Sequence, residues 1–260
     1  MAGSASAEHL IEMRLSTALL SLFYPRTCAL CGRYTGEERA QGQLCKRCLA
    51  MLPRTEQAEK RENLTEMTLT GTDSMWVRDK GQYMVRTKKA MHVERAAAFL
   101  FFDKDNPIRE LMHRMKYNDL PEIGNELGRQ AALEFQYADF FDGIDVIVPM
   151  PLHEKRMRER GYNQSEYIAR GISAVTGIPV DTTHVTRIRN TPKQALQKGD
   201  ERKANVQDAF AVNQPEQLYR THILVVDDLI TTGETMRSCL KAMKKCRGAK
   251  FSVFALCKAR

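Results

Sequence analysis

Residues 223–235 read Ile223-Leu224-Val225-Val226-Asp227-Asp228-Leu229-Ile230-Thr231-Thr232-Gly233-Glu234-Thr235. Four apolar residues of strand character come first, two adjacent acids follow, and a hydroxyl-rich turn leads into a helix. The acids can reach ribose hydroxyls or a divalent cation, and the turn offers backbone N–H groups and a helix N-terminus to a phosphate. The stretch therefore predicts a strand, a turn and a helix that bind a sugar phosphate.

From residue 96 onward, the chain alternates between strand-like and helix-like patterns. Short apolar runs predict strands at 96–102, 144–148, 184–188, 206–212, 223–226 and 251–256. Helical spacing between these runs predicts crossover helices, with Pro107 and Asn163 at helix starts and Gly177 and Gly248 at helix ends. This alternation is typical of an α/β fold with a parallel sheet, whose ligands bind beyond the carboxyl ends of the strands.

Four of the seven cysteines form two Cys-x-x-Cys pairs, Cys28 with Cys31 and Cys45 with Cys48. Thirteen residues separate the pairs, a spacing that brings four thiolates within reach of one tetrahedral zinc ion. Four cysteine ligands leave no open position for a catalytic water, so the predicted zinc site is structural. The alternatives are two disulfides or four unrelated thiols, and the lack of an export signal disfavours disulfides. The other cysteines are predicted to be packing residues: Cys239, Cys246 and Cys257.

These patterns divide the chain into three parts. Residues 1–53 are predicted to form a short helix and a zinc-ribbon-like module, which is too small to fold without its metal. Residues 54–95 are mostly polar and charged, so a linker and an irregular excursion are predicted there. Residues 96–260 are predicted to form the α/β domain.

The composition favours a folded protein with anionic partners. Of the 260 residues, 43% are hydrophobic, which is enough for a core and argues against a disordered chain. The net charge of +8 favours phosphates, nucleotides or nucleic acid as partners, although scattered surface lysines give the same total. Polar and charged residues interrupt the apolar stretch 10–24, so a short amphipathic helix is predicted there rather than a membrane span or a signal peptide. A cytoplasmic protein is expected.

A basic loop follows the predicted strand at 144–148 and carries Arg156 and Arg160. A helical turn would place these two arginines, four residues apart, on one face. Bidentate guanidinium groups suit pyrophosphate oxygens, and Mg²⁺ would neutralise the remaining charge. The alternative is an ordinary solvated basic loop.

A polar loop after the predicted strand at 184–188 is long enough to close over a ligand. It begins near Arg187 and includes Arg202, which makes both arginines candidates for pyrophosphate binding or loop closure. Lids of this kind exclude water and add stabilising charge late in a reaction. The alternative is a mobile surface connection.

The pattern hydrophobic-Asp-Asp-x-x-Thr-Thr-Gly-x-Thr resembles the 5-phosphoribosyl-1-pyrophosphate signature of type I phosphoribosyltransferases. The resemblance implies that Asp227 and Asp228 hold the ribose hydroxyls. It also implies a cradle for the 5-phosphate made of Thr231, Thr232, Gly233 and Thr235. Glu234 departs from the small residue expected at its position, and it would repel a phosphate if it turned inward, so an outward orientation is predicted. The alternative is a strand, turn and helix with incidental caps.

Together with the cysteine module, these motifs make the chain resemble the ComF family of competence proteins over nearly its whole length, apart from the polar excursion. The matching elements are Leu22-Phe23-Tyr24-Pro25, the four cysteines, Lys116-Tyr117, Pro149-Met150-Pro151-Leu152-His153, Arg160-Gly161-Tyr162-Asn163-Gln164, Arg187 through Gln194, Arg202-x-x-Asn205-Val206 and the 223–235 stretch. The usual plan of the family is a four-cysteine zinc module before a type I phosphoribosyltransferase-like domain.

The resemblance implies a cytoplasmic role in natural transformation. The chain would bind phosphoribosyl pyrophosphate with Mg²⁺ and handle incoming single-stranded DNA beside a helicase or other uptake proteins. Two alternatives stay open: an active phosphoribosyltransferase that transfers ribosyl phosphate to a nucleobase or amine, and a zinc-stapled scaffold that binds the sugar only as a regulator. The sequence has no evident aromatic stacking series of the kind that single-strand binders use.

Overall fold

The computed structural model describes residues 27–35, 43–59, 63–70, 72–79, 82–89, 92–117, 120–189 and 209–260, with the backbone alone at 72–79 and 82–89. The chain divides into two compact units, Met1–Met51 and Leu52–Arg260. The helix predicted at 10–24 and the candidate lid residue Arg202 lie outside the described residues. Among the residues that are described, no helix is both long and apolar enough to cross a bilayer.

The described part of the first unit is built around the cysteines. An antiparallel bridge joins Thr27 to Tyr34, and the turn between them places Gly32 in the left-handed region with a φ of 70°. The short helix α1, Lys46–Ala50, begins after Cys45, whose thiol accepts a hydrogen bond from the N–H of Cys48. One Cys-x-x-Cys pair therefore lies in a tight turn and the other at a helix start.

The segment 54–95 contains more regular structure than the sequence predicts. Its elements are α2 (Leu64–Thr70), β1 (Thr72–Asp79) and β2 (Gln82–Lys89), and the two strands pair as an antiparallel hairpin. The α2 helix begins after Asn63, whose side chain accepts hydrogen bonds from two N–H groups of the first turn, and it buries Leu69 completely. The prediction of an irregular excursion is therefore wrong for these residues. A short polar helix with few buried side chains has no clear apolar period, so the sequence pattern does not reveal α2. The boundaries at residues 53 and 95 stay predictions.

The remaining elements alternate along the second unit. They are β3 (Ala96–Phe102), α3 (Ile108–Tyr117), α4 (Glu122–Phe135), β4 (Val146–Pro149), α5 (Glu154–Arg160), α6 (Gln164–Thr176), β5 (Val185–Arg187), β6 (Phe210–Val212), β7 (His222–Ile230), α7 (Glu234–Met243) and β8 (Lys250–Ala259). The predicted limits of α6 are confirmed: the Asn163 side chain accepts from the N–H of Ser165, and Gly177 closes the helix in the left-handed region.

Four strands form one parallel sheet in the order β3-β8-β7-β4. Helices α4 and α6 lie so close together that a Cβ atom on Gly128 would stand 2.3 Å from the Ile168 carbonyl oxygen. Strands β5 and β6 form a separate antiparallel pair. The predicted fold class, an α/β parallel sheet with flanking helices after a four-cysteine module, is confirmed.

Strand β7 is longer than the sequence predicts. Asp227 pairs in register with Ala255, and the strand continues to Ile230, so both acids lie within β7 rather than after its end. Strand β4 stops at Pro149, opposite Val226, so beyond that point β7 is paired with β8 alone. Both acids therefore lie in the part of β7 that extends past the end of β4, where the loop after β4 follows.

The core confirms the predicted packing role of three cysteines. Cys239, Cys246 and Cys257 are all buried, and burial raises the pKa of the Cys239 thiol to about 12. Helix α7 buries the apolar face predicted for it but ends at Met243, before Gly248. The left-handed Gly248, with a φ of 72°, lies in the turn into β8, so its prediction as the helix end is wrong.

Candidate functional site

Two loops meet at the carboxyl edge of the sheet. Strands β4 and β7 are parallel neighbours, and the N–H of Met150 donates to the carbonyl of Val226 at 2.7 Å, which fastens the chain after β4 to β7. Because parallel neighbours end at the same edge, the basic loop after β4 lies beside the acids of β7. Helix α5 and the start of α6 follow directly and border the same edge.

A cavity of about 420 Å³ opens at this edge. Its lining combines the acids of β7, the turn after β7 and arginines from two other segments. The predicted residues in this lining are Asp227, Asp228, Thr231, Thr232, Gly233, Thr235, Arg156, Arg160 and Arg187. Of the candidate ligand-binding residues, Arg202 alone lies outside the described part of the chain.

The two acids are buried, with 9% of Asp227 and 7% of Asp228 exposed. Asp227 Oδ1 accepts hydrogen bonds from the N–H of Asp228 at 2.8 Å and from Ser165 Oγ at 3.3 Å. Burial and the adjacent Asp228 carboxylate raise the pKa of Asp227 to about 7. Asp227 can therefore be either a proton donor or a proton acceptor near neutral pH.

Asp228 is held as an anion by Lys116. The Lys116 ammonium forms an ion pair with Asp228 Oδ2, and both side chains are largely buried. Burial opposes the charge on each group, but the pairing lowers the pKa of Asp228 and raises the pKa of Lys116. Sequence reasoning assigns no site role to Lys116, although Lys116-Tyr117 is one element of the family resemblance. Lys116 is far from the acids in the sequence, so the sequence alone does not reveal that it contacts Asp228.

Gln164 links Arg160 to Asp228 through two hydrogen bonds. Arg160 Nη1 donates to Gln164 Oε1 at 2.8 Å, and Gln164 Nε2 donates to Asp228 Oδ2 at 3.3 Å. The Arg160 guanidinium also lies over the ring of Tyr117, 5.2 Å from its centroid. Sequence reasoning places Gln164 in a family motif and Ser165 at a helix start, but it does not predict that either side chain contacts an acid.

Arg156 and Arg187 complete the basic part of the lining. The Arg187 guanidinium lies 5.4 Å from the ring centroid of Phe210, which fixes it against the β5–β6 pair. Burial and the nearby Arg156 lower the pKa of Arg187. Two guanidinium groups from separate segments therefore share the cavity, as an anion with several oxygens requires.

The turn between β7 and α7 is closely packed and needs a glycine. Gly233 has a φ of 75°, and a Cβ atom there would lie 3.1 Å from both Arg237 Nη1 and Leu69 Cδ2. Only glycine meets both requirements without strain. Helix α7 begins at the next residue and brings its first N–H groups to the cavity edge. The predicted outward orientation of the Glu234 side chain stays a prediction.

The four cysteines of the first unit form a compact cluster. Their sulfur atoms all lie within 4.8 Å of one another, and Cys31 Sγ is 3.8 Å from Cys45 Sγ. Tetrahedral Zn–S bonds of ~2.3 Å put sulfur atoms about 3.8 Å apart, so the residues fit one zinc ion. Burial opposes ionisation of the Cys28 thiol, but backbone N–H groups from the turn and from Cys45 lower its pKa to about 6. The cluster thus has the donor set of a metal site.

Known proteins similar to this chain carry names that refer to DNA use and competence. No protein-family model matches the sequence. The DNA utilization protein YhgH of Escherichia coli K12 is 32% identical over 155 residues, which cover 58% of this chain and 67% of that protein. Competence protein F of Haemophilus influenzae is 30% identical over 158 residues, which cover 59% of this chain and 69% of that protein.

Among solved structures, the glutamine phosphoribosylpyrophosphate amidotransferase of B. subtilis complexed with ADP and GMP has a TM-score of 0.38 and 16% sequence identity to this chain. The match covers 69% of this chain and about a third of the length of that enzyme, at 35%.

Proposed function

The chain belongs to the ComF family of competence proteins, and from that membership we propose that its cavity binds 5-phosphoribosyl-1-pyrophosphate with Mg²⁺. The observation that carries the proposal is the composition of the cavity. One space of about 420 Å³ is bordered by two adjacent acids, a hydroxyl-rich turn at a helix start and arginines from separate segments. A sugar that carries phosphate groups at two ends needs these three kinds of partner.

The acids suit the ribose. Asp228 is an anion whose second partner is the Gln164 amide, and Asp227 carries a proton in part near neutral pH. Neighbouring hydroxyls on a sugar ring both donate and accept hydrogen bonds, so a carboxylate beside a partly protonated carboxyl group matches them. Ribose binding at Asp227 and Asp228 is therefore the assignment that we propose.

The charged lining suits two phosphate ends. Lys116, Arg156, Arg160 and Arg187 bring four positive charges, against the negative charges of Asp228 and Glu234 and a partial charge on Asp227. The turn would hold the 5-phosphate through Thr231, Thr232, Gly233 and Thr235, while the three arginines would face the pyrophosphate. Mg²⁺, bound with the pyrophosphate beside Arg156, Arg160 and Arg187, would supply the positive charge still needed to balance the pyrophosphate. Arg202 is proposed to join them when its loop closes.

The proposed biological role is the cytoplasmic handling of incoming single-stranded DNA during natural transformation, beside a helicase or other uptake proteins. Family membership and the net charge of +8 support this role. The four-cysteine cluster is proposed to bind structural zinc, because its geometry fits the ion and the cysteines fill all four positions. The division into residues 1–53, 54–95 and 96–260 is proposed as well, with the first and last parts matching the family plan and 54–95 lying outside the resemblance.

Phosphoribosyl transfer is the second candidate function. Asp227, whose pKa is about 7, favours it, because a carboxyl group with such a pKa can exchange a proton with an acceptor base or amine at neutral pH. The arginines and Mg²⁺ would stabilise the departing pyrophosphate as the anomeric carbon becomes cationic.

Calorimetry with phosphoribosyl pyrophosphate and Mg²⁺ tests the ligand assignment. Asp228→Asn should weaken binding by about tenfold or more, since a charged hydrogen bond contributes roughly 1.5 kcal/mol or more. Arg156→Ala should weaken binding as well. Arg158→Ala is the matched control, because Arg158 lies on the same helix, pairs with Glu154 and does not line the cavity. Equal affinities in the wild type and Asp228→Asn would refute the ribose assignment.

Two further assays on the wild-type protein distinguish the two proposed functions. Pyrophosphate release is measured against a panel of nucleobases and amines, and binding of a labelled single-stranded oligonucleotide is measured at two salt concentrations. Ligand binding without turnover, together with salt-sensitive DNA binding, supports the competence role. Acceptor-dependent pyrophosphate release supports the transferase.

A further inference from the structure

Lys258 is a buried cation behind the turn that follows β7. It lies near the end of β8, in register with Ile230, and only 5% of it is exposed. Its ammonium donates to the carbonyl oxygens of Thr231 at 3.1 Å and of Ala259 at 2.7 Å. Thr231 borders the cavity, whereas Lys258 is not among the residues that line it. Lys258 therefore contacts the turn without itself lining the cavity.

The partners of Lys258 do not balance its charge. Both are neutral carbonyl groups, and among the described residues Lys258 forms no ion pair with a carboxylate. Burial alone lowers its pKa, which reflects the cost of keeping this ammonium away from water. A buried cation without a counter-ion is expensive, and such groups are concentrated at sites that bind the opposite charge.

The hydrogen bond to Thr231 also orients the turn. The carbonyl of Thr231 and the N–H of Thr232 belong to one planar trans peptide, so they point in opposite directions. With the carbonyl directed to Lys258, the N–H of Thr232 is directed away from Lys258. Thr231 and Thr232 both border the cavity, and so that N–H can meet an anion there.

The neighbouring charges explain why the turn needs this cation. Glu234, in the first turn of α7, borders the same cavity, and its carboxylate would disfavour a phosphate there if it turned inward. Arg237 lies near Gly233, and its guanidinium donates to the Thr68 carbonyl at 2.7 Å. Lys258 adds positive charge behind the peptide that a phosphate would face.

We infer that Lys258 is a positioning residue for phosphate: it fixes the Thr231–Thr232 peptide with its N–H towards the ligand, and the bound phosphate supplies a countercharge that the described residues do not give to Lys258. This inference rests on the proposed function, since it names a determinant of the same site. It predicts that Lys258 contributes to the affinity for the sugar phosphate end of the ligand and not to the affinity for pyrophosphate at the arginines.

Three variants of the full chain test it. Lys258→Met removes both charge and donor at similar length, and Lys258→Gln keeps an amide donor without the charge. Lys250→Met is the matched control, because Lys250 is an exposed lysine at the other end of the same strand. Titration calorimetry measures ribose 5-phosphate and inorganic pyrophosphate separately, each with Mg²⁺, and thermal unfolding is recorded for every variant.

Lys258→Met should bind ribose 5-phosphate about tenfold more weakly, with pyrophosphate affinity within about twofold of the wild type. Its Tm should be unchanged or higher, because an apolar side chain replaces an unbalanced buried charge. Lys258→Gln should fall between Lys258→Met and the wild type, and Lys250→Met should match the wild type. The Thr232 amide signal in NMR spectra should move on addition of ribose 5-phosphate in the wild type and much less in Lys258→Met.

Equal ribose 5-phosphate affinity in the wild type and Lys258→Met would overturn the inference. Equal losses for both ligands with a lowered Tm would also overturn it, because Lys258 would then be needed for folding only. If the wild type binds neither phosphoribosyl pyrophosphate nor ribose 5-phosphate, the proposed function itself fails. The two failures are therefore distinguishable.

Discussion

The cysteine cluster and the carboxyl-edge cavity are two polar centres built in opposite ways. All four thiols come from residues 28–48, where a turn and a short helix start bring them together. The cavity instead takes residues from α3, from the loop after β4, from β5 and from the end of β7. The first centre needs only local chain geometry, whereas the second exists only when the parallel sheet has assembled.

The two centres also differ in what balances their charge. Four thiolates within 4.8 Å of one another would repel, so these thiols are expected to lose their protons together only when a metal ion offsets the charge. In the cavity, a lysine of the chain itself already balances one of the two acids. A metal should therefore decide whether the first centre folds, while the second should fold without a ligand.

Loss of the metal is the largest effect expected. Cys45→Ser with Cys48→Ser should abolish metal binding and expose the amides of residues 43–51 to hydrogen exchange, because a unit of this size depends on its ion for ~10 kcal/mol or more. Elemental analysis should find one zinc per wild-type chain and none in the variant. Affinity for phosphoribosyl pyrophosphate should change little, since the cavity lining comes from residues 116–236.

Cys246→Ser is the control for this prediction. Cys246 is buried in the second unit and lies outside the cluster, so the variant should keep its zinc. Zinc retained in the double variant would show that other groups hold the ion. Loss of ligand affinity in the double variant would contradict the independence of the two centres.

The ion pair in the cavity gives the next largest effect. Asp228→Asn leaves the Lys116 ammonium buried beside an amide, which should lower the free energy of unfolding by about 3 kcal/mol. Adding Lys116→Met should restore most of the loss, because it removes the buried ammonium that Asp228→Asn leaves without a counter-ion. Urea unfolding of the single and double variants measures both effects.

Glu154→Gln is the matched surface control. The Glu154–Arg158 pair is exposed on α5, so breaking it should change stability by less than about 0.5 kcal/mol. Equal losses in Asp228→Asn and Glu154→Gln would mean that the Lys116–Asp228 pair is hydrated and contributes no more than a surface pair.

The same difference in construction explains what the sequence could predict. Cysteine spacing identifies the cluster because all its ligands are close in sequence. The β7 motif identifies Asp227, Asp228 and the turn for the same reason. Lys116 could not be assigned a role, because only the assembled sheet brings it to Asp228. The extension of β7 to Ile230 was missed because Asp residues normally disfavour strands, and here pairing with β8 overrides that preference.

The smallest effect concerns the second acid. Asp227 has a pKa of about 7 in the folded chain against an ordinary value of 3.8, so between these pH values the folded state keeps a proton that the unfolded chain releases. Stability from this group is full below pH ~4 and is lost as the pH rises through about 7. Asp227→Asn should therefore gain stability relative to the wild type at pH 8 compared with pH 5, by roughly 2 kcal/mol, since about 1.4 kcal/mol is lost for each pH unit up to the folded pKa.

Asp181→Asn should show the same sign through a different titrating group and serves as a positive control. Asp181 Oδ2 contacts His184 Nδ1 at 2.6 Å, and the hydrogen bonds that the imidazole donates to Gln217 Oε1 and to Asp181 raise the pKa of His184. A raised histidine pKa adds stability that is present at low pH and is lost as the pH rises, so Asp181→Asn should cost more at pH 5 than at pH 8. Urea unfolding at the two pH values measures both variants. A pH-independent effect of Asp227→Asn would mean that Asp227 is ionised throughout this range, which would remove the observation that favours phosphoribosyl transfer.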